Sequence, residues 1–307
     1  MFNKCPWTVG VITMLVSISL LPRFAAATEN ANEHYPLGAL TVAPAVLPLP
    51  GDTEFRNYTI YVEADKFVNN NGASSPALSQ FHLSIYADIA RLIHTWNTTL
   101  GPFNISSGIT INPIDSYLSV GGEHYHRFAM GDTSFQPLWL TYNTPSLHIL
   151  FGPNIWAPTG AYNKNNPVSP GLNYWTFAPE MAVTWFPQPA WEVSADMFTQ
   201  FNSTNRATEY HSGNDSNIDF SLGWRPLAVT SRLQLGISGY LYRQWADDTS
   251  HGVVVPNDRG RVLGIGPQIG WYFIPHGRMV LKWEHEFDVR NRPAGNRLWI
   301  GLAMPVK

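Results

Sequence analysis

The chain has 307 residues, of which 44% are hydrophobic and only 13% are charged, whereas about 25% are charged in an ordinary soluble domain. This composition excludes a disordered chain and argues against an ordinary soluble surface. Lysine and arginine total 19 against 22 aspartates and glutamates, so the net charge is −3. The chain therefore has no excess positive charge that would attract the phosphates of a nucleic acid. Nucleic acid is therefore not an expected partner.

The N-terminus has the features of an export signal: Lys4 near the start, an apolar run over residues 9–21 and three alanines ending at Ala27. We predict cleavage after Ala27. The apolar run is too short for a transmembrane helix, which needs about 20 apolar residues, and no later segment of that kind occurs. The single cysteine, Cys5, lies within the predicted signal, so we expect no disulfide bond in the mature chain.

Three parts are predicted along the chain: a signal peptide over residues 1–27, a leader over residues 28–51 and a β-barrel over residues 52–307. The leader is rich in Ala, Pro and Leu, a composition that suits an extended connector, and we place it in the periplasm. Its last five residues, Leu-Pro-Leu-Pro-Gly, predict a stiff entry into the first strand.

Hydrophobic and polar residues alternate with a period of two over most of the remaining chain. In the first such segment Ile60 and Val62 share one face, while Thr59 and Glu63 share the other. Comparable segments recur to the C-terminus and give about twelve strands of the length that a barrel wall requires. Short Pro-containing turns and long polar connections join them, as in outer-membrane barrels. The predicted fold is all-β: an antiparallel transmembrane β-barrel of about twelve strands.

The polar faces of these strands carry few charges, which Thr, Ser, Asn and Gln dilute. A soluble β-sandwich would place more charge there, whereas a membrane barrel turns such a face toward a wet lumen and keeps charges away from lipid. The residues predicted to line the lumen are Glu63, His82, Asp88, Glu180, Glu192, Asp196, Asp219, Arg225, Arg232, Lys282, Glu284, Glu286 and Arg297. They either line a path for a solute or pair with one another and close a narrow barrel.

A metal site and a hydrolase are the two chemical alternatives. Glu123, His124 and His126 offer a carboxylate and two imidazoles, donors that suit zinc or copper. The two histidines, at i and i+2, would share one face of a strand, but zinc sites need at least three protein ligands. A third ligand to join them there is missing from the local sequence, so a polar loop is the favoured interpretation. The Gly-x-Ser-x-Gly elbow of many hydrolases is missing from the sequence. We therefore expect no metal, no cofactor and no catalytic residue.

Four motifs carry a family resemblance: Gly131-Asp132, Ala-Pro-Thr-Gly-Ala-Tyr over 157–162, Gly-Leu-Asn-Tyr-Trp-Thr-Phe-Ala-Pro over 171–179, and Gly-Ile-Gly-Pro-Gln-Ile-Gly over 264–270. With them the chain resembles the outer-membrane barrels labelled "putative MetA-pathway of phenol degradation". The resemblance implies a barrel in the outer membrane and a part in uptake of aromatic or other hydrophobic compounds, and it implies no catalytic residues. One departure is the non-aromatic C-terminus, Met-Pro-Val-Lys, which bears on the efficiency or route of insertion.

The sequence thus predicts an outer-membrane channel of a Gram-negative bacterium for passive or facilitated uptake of small, aromatic or hydrophobic compounds. Expected partners are membrane lipid, lipopolysaccharide, the outer-membrane assembly machinery and a small hydrophobic or aromatic solute. No energy coupling is expected, because the sequence contains no recognisable plug domain or nucleotide site. An outer-membrane barrel hydrolase and a closed structural barrel are the alternatives.

Overall fold

The computed structural model describes residues 28–226, 232–274 and 277–306, and nearly all of its regular structure is β-strand. The predicted signal peptide lies outside these ranges. Helical structure within them is limited to two short 3-10 helices, Glu29–Ala31 and Pro76–Leu78, neither of which is long enough to cross a bilayer. The strands are β1 (Thr53–Val68), β2 (His82–Leu100), β3 (Phe103–Ile111), β4 (Pro113–Val120), β5 (Glu123–Met130), β6 (Thr133–Asn143), β7 (Leu147–Ala157), β8 (Thr176–Trp185), β9 (Trp191–Asn202), β10 (Tyr210–His211), β11 (Asp215–Trp224), β12 (Leu233–Gln244), β13 (Thr249–Ser250), β14 (Val253–Val254), β15 (Arg261–Ile274), β16 (Gly277–Arg290) and β17 (Arg292–Val306).

All of these strands except β10, β13 and β14 belong to one antiparallel sheet that closes into a barrel. The ring closes at β1, which pairs with both β17 and β2. β3 and β4 together act as one wall strand, because β2 pairs with β4 near its start and with β3 near its end. β5 and β6 together form the next wall strand. The wall therefore has twelve strands, which confirms the predicted fold class.

The two rims of the barrel differ in the length of their connections. At one rim the strands are joined by short turns, such as residues 101–102, 144–146 and 186–190. At the other rim lie long connections, among them residues 69–81 and 158–175, and the small sheet of β10, β13 and β14 belongs to the loops of this rim. We call these the short-turn rim and the long-loop rim. The asymmetry is typical of outer-membrane barrels.

Side chains of β8 and β9 alternate between the two faces of the wall. Glu180 and Asp196 are buried on the inner face, whereas Met181 and Met197 are exposed on the outer face. Exposed tryptophans lie at strand ends on the outer face: Trp175, Trp185, Trp191, Trp224, Trp245 and Trp271. An apolar outer band with aromatic residues at its borders is the surface that a lipid bilayer requires.

The segment around His124 differs from its prediction as a loop. It forms β5, which pairs with β4 in a hairpin. His124 and His126 lie on the outer face of this hairpin, where Tyr117 and Asp115 hydrogen-bond to them at 2.9 and 2.7 Å. Cross-strand pairs of polar side chains stabilise a hairpin as apolar pairs do, so polarity alone does not indicate a loop here.

Candidate functional site: the occupied lumen

Residues 28–48 run through the lumen of the barrel, and we call them the plug segment. Its residues Tyr35, Leu37, Leu40 and Ala45 are at most 3% exposed and pack in apolar clusters together with residues of the wall. This location differs from the periplasmic position predicted for the leader. The segment is short and extended and forms no domain of its own, so it fills the lumen without leaving the signal of a plug domain in the sequence.

Acidic side chains of the wall bind N–H groups of the plug segment. The carboxylate of Asp219 on β11 accepts hydrogen bonds from the backbone N–H of Gly38 at 3.0 Å and of Leu40 at 2.9 Å, and from the Tyr35 hydroxyl at 2.7 Å. Glu192 on β9 accepts one from the N–H of Ala43 at 2.9 Å. Buried backbone groups outside helices and sheets need such partners, and bonds to an ionised acceptor are the stronger kind.

Basic side chains of a second sector, β16 and β17, bind the carbonyl groups of the plug segment. Lys282 donates to the carbonyl oxygen of Gly38 and, at 2.9 Å, to Thr41 Oγ1. Arg297 donates to the carbonyl oxygen of Leu37 at 3.2 Å. The plug segment is therefore bound by acids along one edge and by bases along another, and it separates the two groups of charges.

Gly38 marks a close approach of the plug segment to the wall. Its φ is 90°, which L side chains rarely adopt, and a Cβ there would lie 2.5 Å from Glu284 Oε2. Glu284 is fixed, because its carboxylate accepts hydrogen bonds from Ser238 at 3.0 Å and from the Trp299 indole at 3.1 Å. Only glycine fits this backbone path.

Two side-chain contacts tie the start of the plug segment to the long-loop rim. The Glu33 carboxylate accepts two hydrogen bonds from the Arg292 guanidinium, at 2.5 and 2.7 Å. His34 Nε2 lies 2.9 Å from Asp132 Oδ2, and Asp132 also accepts the backbone N–H of Leu172 at 2.7 Å. Asp132 thus joins the plug segment to the long connection 158–175.

A cavity of about 180 Å³ remains between the plug segment and the wall of β1, β2 and β4. The wall side is apolar and is formed by Tyr58, Ile60, Val62, Leu83, Ile85, Ala87, Ile89 and Ile114. Tyr35 and Leu40 of the plug segment face it, and polar groups also line it. The charged side chains among them are Glu33, Arg91, Asp132, Glu286, Arg292 and Arg297. An apolar cavity of about 150 Å³ is known to bind benzene, so this cavity has room for one aromatic ring.

The inner face of β1 and β2 is the apolar face, which reverses the prediction for this part of the wall. Glu63, His82 and Asp88 lie on the outer face, so their assignment to the lumen is wrong. The physical reason is that the apolar face packs against the side chains of the plug segment instead of against lipid. On the outer face, Asp88 accepts hydrogen bonds from Asn57 Nδ2 and Thr59 Oγ1, each at 2.8 Å.

The other predicted lumen residues fall into two groups. Arg225 and Arg232 lie at the short-turn rim, where the Arg225 guanidinium carbon is 4.1 Å from the centre of the Tyr272 ring and Arg232 is exposed. Eight have buried side chains on the inner face: Glu180, Glu192, Asp196, Asp219, Lys282, Glu284, Glu286 and Arg297. Several pair within the wall or bind the plug segment, as when Arg297 donates to Glu286 at 3.1 Å. Their part in solute passage stays a prediction.

Arg56 and Arg91 are charged lumen residues that the sequence analysis missed. Both are buried on the inner face of β1 and β2, where Arg91 donates to Thr110 at 2.9 Å and Arg56 pairs with Glu54. They share the face that alternation assigned to lipid. Because an arginine facing lipid at the bilayer midplane costs about 2–4 kcal/mol, their presence is a sequence signal that this face points inward.

The sequence matches the family described as "Putative MetA-pathway of phenol degradation" over residues 64–302. The chain belongs to this family. No curated protein matches the sequence. Among solved structures, a COG4313 outer membrane channel from Pseudomonas putida F1 is similar with a TM-score of 0.74 and 18% identity, over 89% of this chain and 100% of that one. At this identity the likeness establishes a shared fold.

Two more distant barrels have TM-scores of 0.43 and 7% identity. One is the KdgM porin, with 82% of this chain and 99% of that chain covered. The other is the CymD monoaromatic hydrocarbon channel, with 88% and 92% covered.

Three of the motifs that carry the family resemblance meet around Asp132. A Cβ on Gly160 would lie 2.6 Å from the backbone of Gly131 and 2.8 Å from that of Gly171, so the three backbone segments touch. Asp132 accepts the N–H of Gly160 at 2.7 Å. The same carboxylate contacts His34, so the family motifs form the wall-side half of the anchor for the plug segment.

A further group of buried acids lies in the loops of the long-loop rim. Asp248 accepts the backbone N–H of Gly213 at 2.6 Å and the Tyr210 hydroxyl, and Asp258 accepts the backbone N–H of Asp248 at 3.2 Å. Burial, together with the nearby Asp248 carboxylate, raises the pKa of Asp258 to about 7. Burial also raises the pKa of Glu29 at the start of the plug segment. Asp258 therefore changes charge near neutral pH.

Proposed function

We propose that this barrel is an outer-membrane channel for passive or facilitated uptake of small aromatic or hydrophobic compounds. The observation that carries the proposal is the cavity between the plug segment and the apolar faces of β1, β2 and β4. A water-filled pore for polar solutes would have a polar lining on all sides, whereas the apolar wall on one side of this cavity favours a solute with an apolar part that leaves water. The function is that of a transporter, and we assign no catalytic residue.

The position of the cavity supports entry from the long-loop rim. Its lining continues from Ile60 and Ile89 in the wall to Pro167 and Val168 in the long connection 158–175. A solute that partitions into this cavity stays in contact with the plug segment. Onward passage requires the plug segment to shift, because its backbone is bound to wall residues on several strands.

The proposal places the chain in the outer membrane of a Gram-negative bacterium. Export uses a signal cleaved after Ala27, the assembly machinery inserts residues 52–307 as the barrel, and residues 28–51 enter its lumen. The partners are membrane lipid, lipopolysaccharide and the solute. The apolar outer band with tryptophans at its borders supports the contact with lipid.

The test uses the full chain expressed in a Gram-negative host and extracted from its outer membranes, with folding checked by heat-modifiable gel mobility. Conductance is recorded in planar bilayers with and without phenol or toluene. We expect current steps that the solute reduces. Ala87→Phe fills the cavity and should abolish this effect, whereas the matched control Ala195→Phe, on the outer face of β9, should retain it.

Two outcomes would contradict the proposal. If the folded wild-type protein conducts but no aromatic solute changes its current, the cavity is not a solute site. If Ala87→Phe and Ala195→Phe respond to solute equally, the site lies elsewhere. A folded protein that never conducts and binds no solute would support the closed structural barrel instead.

A further inference from the structure

Three metal-ligating side chains converge on the outer face of β1 and β2, away from the lumen. Glu63, Asp65 and His82 each offer one ligand atom, and these atoms all lie within 4.8 Å of one another. Glu63 lies on the outer face of β1, and Asp65 is the extra residue of a β-bulge between Ala64 and Lys66, with a side chain that is 81% exposed on the same side of the wall. His82 shares that face, because Glu63 pairs with Ser84, two residues further along β2.

The position of these side chains puts them in contact with water. One step toward the short-turn rim, Tyr61 pairs with Tyr86, and both are exposed on the outer face. Tyrosines in this position form the aromatic border of the lipid-facing band. Glu63, Asp65 and His82 lie beyond this border, on the side of the long-loop rim, where an ion can reach them from solution.

We propose that Glu63, Asp65 and His82 form a binding site for a divalent transition-metal ion, with Zn²⁺ as the reference ion. The donor set is one imidazole nitrogen and two carboxylate oxygens. Ca²⁺ and Mg²⁺ prefer oxygen ligands alone, whereas imidazole suits zinc, copper and nickel. Three protein ligands with one open position are sufficient for zinc.

The charges around the site favour a cation. Asp65 Oδ1 lies 2.8 Å from His82 Nδ1, and within the described ranges neither Glu63 nor Asp65 forms an ion pair with a lysine or arginine. Two carboxylates without a permanent positive partner attract a divalent ion. The side chain of Asp65 is 81% exposed and that of His82 is 38% exposed, so both can turn to bring their ligand atoms to metal-bonding distance.

An ion at this site would have a structural effect on the long-loop rim. Asp65 stands before, and His82 directly after, the connection 69–81 between β1 and β2. A metal bound to both residues closes this connection with a second link beside the strand pairing. Closing a loop lowers its conformational entropy, so Zn²⁺ should order this part of the rim.

The test is calorimetric titration of Zn²⁺ into the full chain, extracted from outer membranes in detergent, stripped of metal with a chelator and shown to be folded. We expect one bound Zn²⁺ per chain. His82→Ala and the pair Glu63→Gln with Asp65→Asn should each weaken binding by about tenfold or more. The matched control is His126→Ala, because His126 is also exposed on the outer face and also contacts one carboxylate, that of Asp115. It should bind Zn²⁺ as the wild type does.

Two results would overturn the proposal. One is a folded wild-type chain that binds no Zn²⁺ even at millimolar concentration. The other is an equal loss of affinity in His82→Ala and His126→Ala, which would indicate nonspecific binding to surface histidines. A hydrogen-exchange measurement of residues 69–81 with and without Zn²⁺ separates a site that orders the connection from one that does not.

Discussion

Two sectors of the barrel wall differ in polarity: the acidic sector of β9 and β11, which carries Glu192, Asp196 and Asp219, and the apolar sector of β1 and β2. On β9 the inner face carries Asp196 and the outer face carries Met197, as a lumen filled with polar groups requires. On β1 and β2 the inner face carries Ile60 and Ile89, whereas Asp88 lies on the outer face. The difference follows from the plug segment, which presents N–H groups to the acidic sector and apolar side chains to the other. Each part of the wall is therefore matched to what lies inside it.

The comparison shows why alternation identifies strands but not the direction of their faces. An apolar face can meet lipid or a packed interior, and both environments favour the same side chains. A buried charge on that face separates the two cases, because an interior can supply partners that lipid does not. Arg56 and Arg91 are such charges.

The largest expected effect comes from breaking the acidic sector at Asp219→Leu. Three donors of the plug segment, the Tyr35 hydroxyl and the N–H groups of Gly38 and Leu40, then lose their acceptor. At about 1–3 kcal/mol for each unsatisfied buried group, the plug segment should leave its place. Single-channel recordings should show a clear rise in conductance.

The matched control for this prediction is Asp215→Leu. Asp215 is also fully buried on the inner face of β11, and its carboxylate accepts a hydrogen bond from Gln200 at 2.7 Å. Its conductance should stay near that of the wild type. An equal rise in both variants would mean that general damage to the wall, and not the release of the plug segment, opens the barrel.

The apolar sector is tested by Ile89→Ala against Ile300→Ala. Ile89 is 5% exposed and packs inside, whereas Ile300 is 47% exposed on the outer face of β17. Ile89→Ala should lower the free energy of unfolding by about 2–4 kcal/mol, because the interior does not refill the space. Lipid chains refill the space at Ile300. Ile300→Ala should therefore lower the free energy of unfolding by less, because no cavity is left behind. Urea unfolding in lipid vesicles measures both, and equal losses would contradict the inside-out assignment.

The strand number, the two rims and the inward position of eight charged residues could be predicted from the sequence, because each follows from period-two patterning. The place of the plug segment could not. It has no periodicity of its own, and its partners, such as Asp219 for Gly38, lie on strands far along the chain. The zinc-ligand candidate Glu63–Asp65–His82 was hidden for the same reason: the pairing of β1 with β2 brings its members together.

A smaller effect is expected on the outer face of the apolar sector. Asp88→Leu removes the acceptor that Asn57 and Thr59 share on a surface next to the lipid band. Thr59 keeps its hydrogen bond to Asn57 Oδ1 at 3.2 Å, so the loss falls on the Asn57 amide and should lower the free energy of unfolding by about 1–3 kcal/mol. Replacing all three at once, with Asn57→Leu, Thr59→Val and Asp88→Leu, removes the unsatisfied groups and should restore most of that loss. Urea unfolding of the single and triple variants measures this recovery. A triple variant less stable than Asp88→Leu would show that Asn57 and Thr59 stabilise the wall through contacts other than their hydrogen bonds to Asp88.

The buried acids of the long-loop rim should make the stability of its loops depend on pH. The pKa of Asp258 is about 7 in the folded loops, above its value in an open chain, so the folded loops hold a proton that the open loops release. Their stability should therefore fall as pH rises toward 7, by at most about 1.4 kcal/mol per pH unit, and level off above it.

Hydrogen exchange of the Gly213 and Asp248 amides measures how often these loops open. Asp258→Asn should reduce the dependence without removing it, because burial also raises the pKa of Asp248. Asp247→Asn should keep it in full, because a hydrogen bond from Arg259 lowers the pKa of Asp247. An unchanged slope in Asp258→Asn would assign the titration to another group.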